Sequence, residues 1–245
     1  MQRFLLITFG LICLVCPAAA QSAASALTLE QLLERYTQNY GGLLRDAEQL
    51  ASISIDGVHI QNEEVYDFLL RKKRPAMMHY QLKRNGTTLT TVYNGGIAWL
   101  QVSNAEERSI EELTGASLAA VKREARFESP LFRHRDKPEY IITLEARELI
   151  GLLNAYVLLV REPGGVNSRY FLHPENARVL RMDQLDTKGA VVMQTFYRDY
   201  RVVDGYPFAF EVENRVDGQT VAVTRMHSVS VNPGLLSLYF EKPGQ

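Results

Sequence analysis

The chain has 245 residues, 27 of them basic and 28 acidic, with two cysteines, Cys13 and Cys16. A net charge of −1 lacks the basic excess of a nucleic-acid-binding surface, so no nucleic acid is expected as a partner. Both cysteines fall in the N-terminal leader, which leaves the rest of the chain without thiols for disulfides, thiolate metal sites or cysteine nucleophiles.

The leader has a basic start (Met1-Gln2-Arg3), an apolar run from Phe4 to Val15, and small residues at Ala18-Ala19-Ala20. This is the layout of a secretory signal peptide cleaved near Ala20. The alternative, a membrane anchor, needs roughly 20 apolar residues, and about a dozen are present. Cys13 follows Leu11-Ile12 and Cys16 follows Leu14-Val15, not the small residues of a lipoprotein signal. Cleavage removes Arg3 and leaves 26 basic against 28 acidic residues, a net charge near −2. The expected organisation is a signal peptide over 1–20 and one domain over 21–245, large enough to bury a sizeable core.

Thr28-Leu29-Glu30-Gln31 has the form of a capping box, and Leu29, Leu32, Leu33, Tyr36 and Tyr40 recur at helical spacing before Gly41-Gly42. This predicts an amphipathic helix that needs a sheet to cover. From Ile53 the period changes to two: Ile53/Ile55, Tyr66/Phe68/Leu70, Met78/Tyr80/Leu82, Leu89/Thr91/Tyr93 and Ile97/Trp99. Turns are expected at Asp56-Gly57, Asn85-Gly86 and Asn94-Gly95-Gly96. Between Asn104 and Phe132 the alternation stops. Ile110, Leu113, Leu118, Val121 and Ala125 fit a helical stripe broken near Gly115, followed by the apolar turn Phe127 to Phe132. Residues 141–160 carry some helical propensity at Glu145 to Leu149, but Gly151 and the run Tyr156 to Val160 favour two strands. Further strands are expected over 168–172, 179–185, 190–200, 208–216 and 220–231, with Asp204-Gly205 and Asp217-Gly218 among the turns. No repeat, low-complexity tract or linker divides the chain.

The five histidines, at 59, 79, 134, 173 and 227, never take metal-ligand spacing, and there is no H-E-x-x-H, no G-x-S-x-G elbow and no phosphate-cradling glycine loop. His134 reads as a solvated loop residue, and His79 and His227 as hydrogen-bonded sheet residues. Glu63-Glu64, Glu106-Glu107 and Glu111-Glu112 fit exposed turns and helix starts. No metal, cofactor or catalytic role is expected.

Some longer phrases carry a resemblance. They are Tyr40-Gly41-Gly42 at the end of the early helix, the hairpin Tyr93 to Trp99, the two-strand phrase Tyr170 to Met182, the run Phe196 to Gly205, and the closing Val231-Asn232-Pro233 and Phe240-Glu241-Lys242-Pro243. In this order, and with the export signal, they resemble the outer-membrane lipoprotein-sorting proteins, periplasmic carriers of the lipoprotein carrier A type. The likeness spans nearly all of the chain beyond the leader and rests on the order of turns. No residue here is matched to that carrier's lid-closing arginine.

The resemblance implies an α+β fold: a strongly curved, incomplete antiparallel β-barrel, here of about ten or eleven strands, with helices covering an apolar concave face. Tyr80, Leu82, Leu89, Tyr93, Ile97 and Trp99 are expected on one face of the early hairpins, with Lys83, Thr88 and Thr90 on the other. Together with Leu113, Leu118, Val121, Phe127, Leu131 and Phe132 from the insertion they form the candidate ligand cavity. The competing reading of these aromatics is ordinary core under the first helix. The resemblance further implies a monomeric periplasmic carrier of lipoprotein or lipid cargo, loaded and unloaded by an inner-membrane transporter and an outer-membrane acceptor. A lipid-sensing module and a lipid-modifying enzyme are the alternatives. On this reading the C-terminal strands are scaffold and specificity lies in the early hairpins and the insertion.

Overall fold

The computed structural model describes residues 27–41, 50–127, 129–133 and 139–242. The leader with both cysteines, Gly42, Glu128, His134 and Pro243 lie outside the described residues.

Helix α1 (Leu29–Gly41) begins as its capping box dictates. The Thr28 N–H donates to Gln31 Oε1 at 2.9 Å, and the Gln31 N–H donates to Thr28 Oγ1 at 3.3 Å. Six strands follow: β1 (Ser52–Gln61), β2 (Glu64–Lys73), β3 (Met77–Arg84), β4 (Thr87–Asn94), β5 (Ile97–Ser103) and β6 (Arg108–Leu113). A cross-over segment carries α2 (Gly115–Glu124) and the single turn α3 (Pro130–Arg133). Seven more strands complete the fold: β7 (Ile141–Ile150), β8 (Leu153–Arg161), β9 (Asn167–Leu172), β10 (Val179–Leu185), β11 (Val191–Val203), β12 (Tyr206–Val216) and β13 (Gln219–Val231).

All thirteen strands form one antiparallel sheet in the order β6-β5-β4-β3-β2-β1-β13-β12-β11-β10-β9-β8-β7. It is two meanders joined at a β1–β13 seam, with β6 and β7 as free edges. The chain therefore leaves one edge of the sheet and re-enters at the other, carrying the cross-over segment with it.

The sheet is bent strongly, as one set of contacts requires. β2 and β8 are seven strand steps apart, about 34 Å on a flat sheet at the usual inter-strand spacing. Yet Lys72 on β2 donates to the Arg126 carbonyl at 3.2 Å, and the Arg126 guanidinium pairs with Glu162 at the end of β8. A single residue of the cross-over segment thus touches both arms. The bend is concentrated partly at Gly57, where the register slips between Asp56 and Gly57 as a β-bulge. A Cβ there would lie 2.1 Å from the Arg225 carbonyl oxygen and 2.9 Å from Met226 Cα, so only glycine fits the seam.

All three helices pack on the same, inner face of the sheet. Leu32, Leu33 and Tyr36 of α1 and Leu131 of α3 are buried against Tyr156, Leu158, Val160, Tyr170 and Leu172. Leu118, Val121 and Ala125 of the α2 region pack on Met78, Tyr80, Tyr93, Ala98 and Leu113. On the outer face, a 3₁₀ turn at Ser237–Phe240 lies over β3 and β4 and buries Phe240 completely.

Three expectations are corrected. The strands number thirteen, not ten or eleven. Arg108–Leu113 is an edge strand and not the first half of a broken helix. Paired on one side only and exposed except at Leu113, it needs no apolar alternation, and its charged residues guard the edge. Asp56-Gly57 is the bulge within β1, while the turn falls at Asn62-Glu63, where both residues adopt positive φ (51° and 65°).

Candidate functional site

The inner face is not filled. Between the cross-over segment and β9–β13 lies a cavity of about 560 Å³, within the range of small-molecule sites. Strand alternation supplies its floor. Met182 pairs with Thr195 and Gln184 with Met193 across β10 and β11, Tyr197 pairs with Val212 across β11 and β12, and Met226 follows on β13. Phe208 and Tyr200 close that end, the Tyr200 hydroxyl donating to the Val179 carbonyl at 2.8 Å. Three methionines on one wall give a surface that is apolar and deformable.

The roof comes from Ala120, Arg123 and Glu124 of α2 and from Arg126, Phe127, Ser129 and Pro130 beyond it, with Tyr36 of α1 beside them. Phe127 is held by the Arg74 guanidinium, 4.8 Å from its ring centroid. The Ser129 hydroxyl accepts the Leu131 N–H at 3.3 Å, which fixes the start of α3.

Where the roof meets β2 and β8 the lining turns polar. Lys72 is mostly buried, with Glu124 3.6 Å from its ammonium. Arg126 pairs with Glu162 and donates to the Tyr140 hydroxyl at 3.3 Å. Ser168 and Tyr170 of β9 line this end. Burial, reinforced by the Glu162 carboxylate, pushes the Tyr170 phenol well above its ordinary range, so it stays a neutral donor.

The two parts of the roof are held differently. α3 is anchored: Leu131 is fully buried, and Phe132 stacks at 4.8 Å on Tyr36 of α1. In α2 no residue is buried, and its N-cap residue Thr114 makes no side-chain capping bond. Ten residues capped this poorly have little intrinsic stability. α2 is held by the partly buried Leu118 and Val121, by Ala125 and by the Lys72–Arg126–Glu162 contacts.

Of the twelve sequence-designated cavity residues, Phe127 lines this cavity. Tyr80, Tyr93, Leu113, Leu118 and Val121 come together beneath α2 as packing, and burial pushes the Tyr80 phenol up to about 12, with the Glu124 charge adding to it. Leu131 and Phe132 tie α3 to α1. Leu82 and Leu89 pair with each other on the inner face, away from the cavity lining. Ile97 and Trp99 are not on that face: Trp99 pairs with Val92 and Ile97 with Asn94, so the pleat sends both outward, opposite Tyr93 and Ala98. His79 also differs from expectation. Its Nδ1 is buried with no hydrogen-bond partner among the described residues, and its ring sits 6.1 Å from that of Tyr239. The sequence reading missed the floor: Met182, Met193, Tyr197 and Met226 were placed on strands but not assigned to the side that the helices leave open.

No family model and no curated protein matches the chain. Solved structures do. A DUF1329 family protein from Desulfovibrio piger has a TM-score of 0.63 at 15% identity, over 87% of this chain and 97% of that one. A LolA superfamily protein from Nitrosomonas europaea has a TM-score of 0.58 at 12% identity, over 89% and 99%. A putative outer membrane lipoprotein-sorting protein domain from Vibrio parahaemolyticus has a TM-score of 0.51 at 15% identity, over 88% and 98%. The chain has the fold of the LolA-like lipoprotein-sorting proteins.

Proposed function

We propose that this protein is a periplasmic carrier that takes up the acyl part of a lipid or lipoprotein in the cavity between α2 and β9–β13 and releases it at a second membrane or envelope complex. The observation that carries this reading is an apolar floor under a roof whose nearer half buries none of its own residues. Such a roof can open at small cost, because few apolar contacts are lost with it. Each acyl methylene placed on the methionine floor contributes about 0.8 kcal/mol, so one chain gives useful affinity without a polar code. The fold shared with LolA superfamily and lipoprotein-sorting proteins supports the assignment, and the leader supports export.

In this reading the twelve designated residues divide by role. Phe127 touches the ligand, while Tyr80, Tyr93, Leu113, Leu118 and Val121 form the seat on which α2 closes. Leu131 and Phe132 are the hinge-side anchor. The partners are an inner-membrane transporter that loads a monomeric carrier and an acceptor that empties it.

The test is purification from the native envelope followed by lipid mass spectrometry, with transfer of bound lipid between two vesicle populations. Bound, transferable acyl lipid is expected. Protein that is consistently empty and moves no lipid would overturn the assignment.

A further inference from the structure

The polar end of the cavity has a charge imbalance that an acyl chain does not use. Three cations, Lys72, Arg123 and Arg126, line the cavity against two carboxylates, Glu124 and Glu162, an excess of one positive charge. Arg126 is satisfied by Glu162 and Tyr140. Lys72 is not: its side chain is 13% exposed, its ammonium makes one hydrogen bond, to the Arg126 carbonyl, and Glu124 is 3.6 Å away and largely in solvent. The Arg123 guanidinium has no partner among the described residues. Two neutral hydroxyls, of Ser168 and Tyr170, line the same end without a hydrogen bond of their own among the described residues.

An ammonium this far from water costs free energy until it is paired, and a free guanidinium presents a planar fork suited to an oxyanion. Both stand at the opposite side of the cavity from the methionines, so a molecule that met each surface would be apolar at one end and anionic at the other. We infer that the cargo is an amphiphile with a single anionic head, whose oxygens are taken by Lys72 and Arg123 while its chain lies on the Met182–Met193–Met226 floor. This deepens the carrier assignment and rests on it. The carrier reading requires only an acyl chain and is indifferent to the head.

The test uses the whole protein and amphiphiles that share one ten-carbon chain: decyl phosphate, decanoate, decyl maltoside and decyltrimethylammonium, each titrated calorimetrically below its micellar concentration. Decyl phosphate and decanoate are expected to bind about tenfold more tightly than decyl maltoside, the size of one charge-assisted contact, and decyltrimethylammonium more weakly still. The advantage of the anions should shrink as salt is added. Arg123→Gln, at an exposed position, and Lys72→Met should each bring the anions down towards decyl maltoside and leave decyl maltoside unchanged. Phosphate above decanoate would assign a phosphate head, and equality would assign charge alone; either supports the inference. Equal binding of all four, or anionic preference untouched by both substitutions, would overturn the anionic head and leave the carrier intact. Failure of all four to bind would overturn both.

Discussion

Arg126 and Glu162 are ion-paired across the mouth of the cavity, and the carbonyl of the same Arg126 holds Lys72 on the opposite arm of the sheet. This residue fastens the roof to both walls. Glu162 is the more deeply buried partner, its side chain 7% exposed against 23% for Arg126.

Removing one member of that pair should cost more than removing both. Glu162→Gln leaves a half-buried guanidinium uncompensated, and a loss of about 3 kcal/mol is expected. Arg126→Met with Glu162→Leu should recover much of it. Urea denaturation of the four proteins in the cycle measures the coupling. Hydrogen exchange should show faster opening over 115–127 in Glu162→Gln, with the β1–β13 seam unaffected.

Gly57→Ala should destabilise the whole sheet. The added methyl meets backbone at 2.1 Å and the Phe68 ring at 2.8 Å, neither of which can withdraw without moving β13 or β2. A loss of about 3 kcal/mol or more in chemical denaturation is expected, as for other overpacked sites. A variant as stable as the parent would show that the bulge does not hold the bend.

Stability should fall with acid through a window set by His79. Burial, with the Arg71 charge adding to it, lowers this histidine from 6.5 to about 4. Between those values the unfolded chain binds a proton that the folded chain does not, so stability rises with pH there. The full contribution is present above pH 6.5 and is lost as pH falls towards 4, on the order of 3 kcal/mol. His79→Phe should flatten this limb. Because Arg71 lies 4.2 Å from the Tyr239 ring centroid and His79 beside it, protease sensitivity at 235–242 should appear in the same window for the parent only.

Ligand uptake should respond to the floor and ignore the outer face. Met193→Trp places a large ring on the cavity wall and should abolish decyl phosphate binding with little change in melting temperature. Trp99→Ala, on the outward side of β5, should lower stability by about 2–3 kcal/mol and leave binding intact. The opposite pattern would move the site back to the early hairpins.

Local signals in the chain were largely sufficient for the elements. The Thr28/Gln31 box placed α1 to the residue, and Asn85-Gly86, Gly151 and Asp217-Gly218 marked hairpins that the structure keeps. The misses have physical causes. Asn62-Glu63 reaches positive φ without glycine, and β6 needs little apolar patterning at an edge. For Trp99 the period of two was read correctly within β5, but the face was set by pairing with Val92, which is a property of two strands and not of one. The cavity was the least legible part. Alternation tells which residues share a side, whereas the region left open depends on the bend at Gly57 and on where the cross-over segment comes to rest.

Sewing the sheet together along β1 and β13 also fixes the order in which it can form. Each meander is assembled from neighbouring hairpins, but Ile53 must wait for Val231, a partner at the far end of the sheet's own sequence. Until β13 is made, the inner edge of β1 is bare, a ten-residue row of unpaired amides and carbonyls. So distant a closure is slow compared with hairpin formation. The nascent chain therefore passes through a stage in which it is a template for strands other than its own.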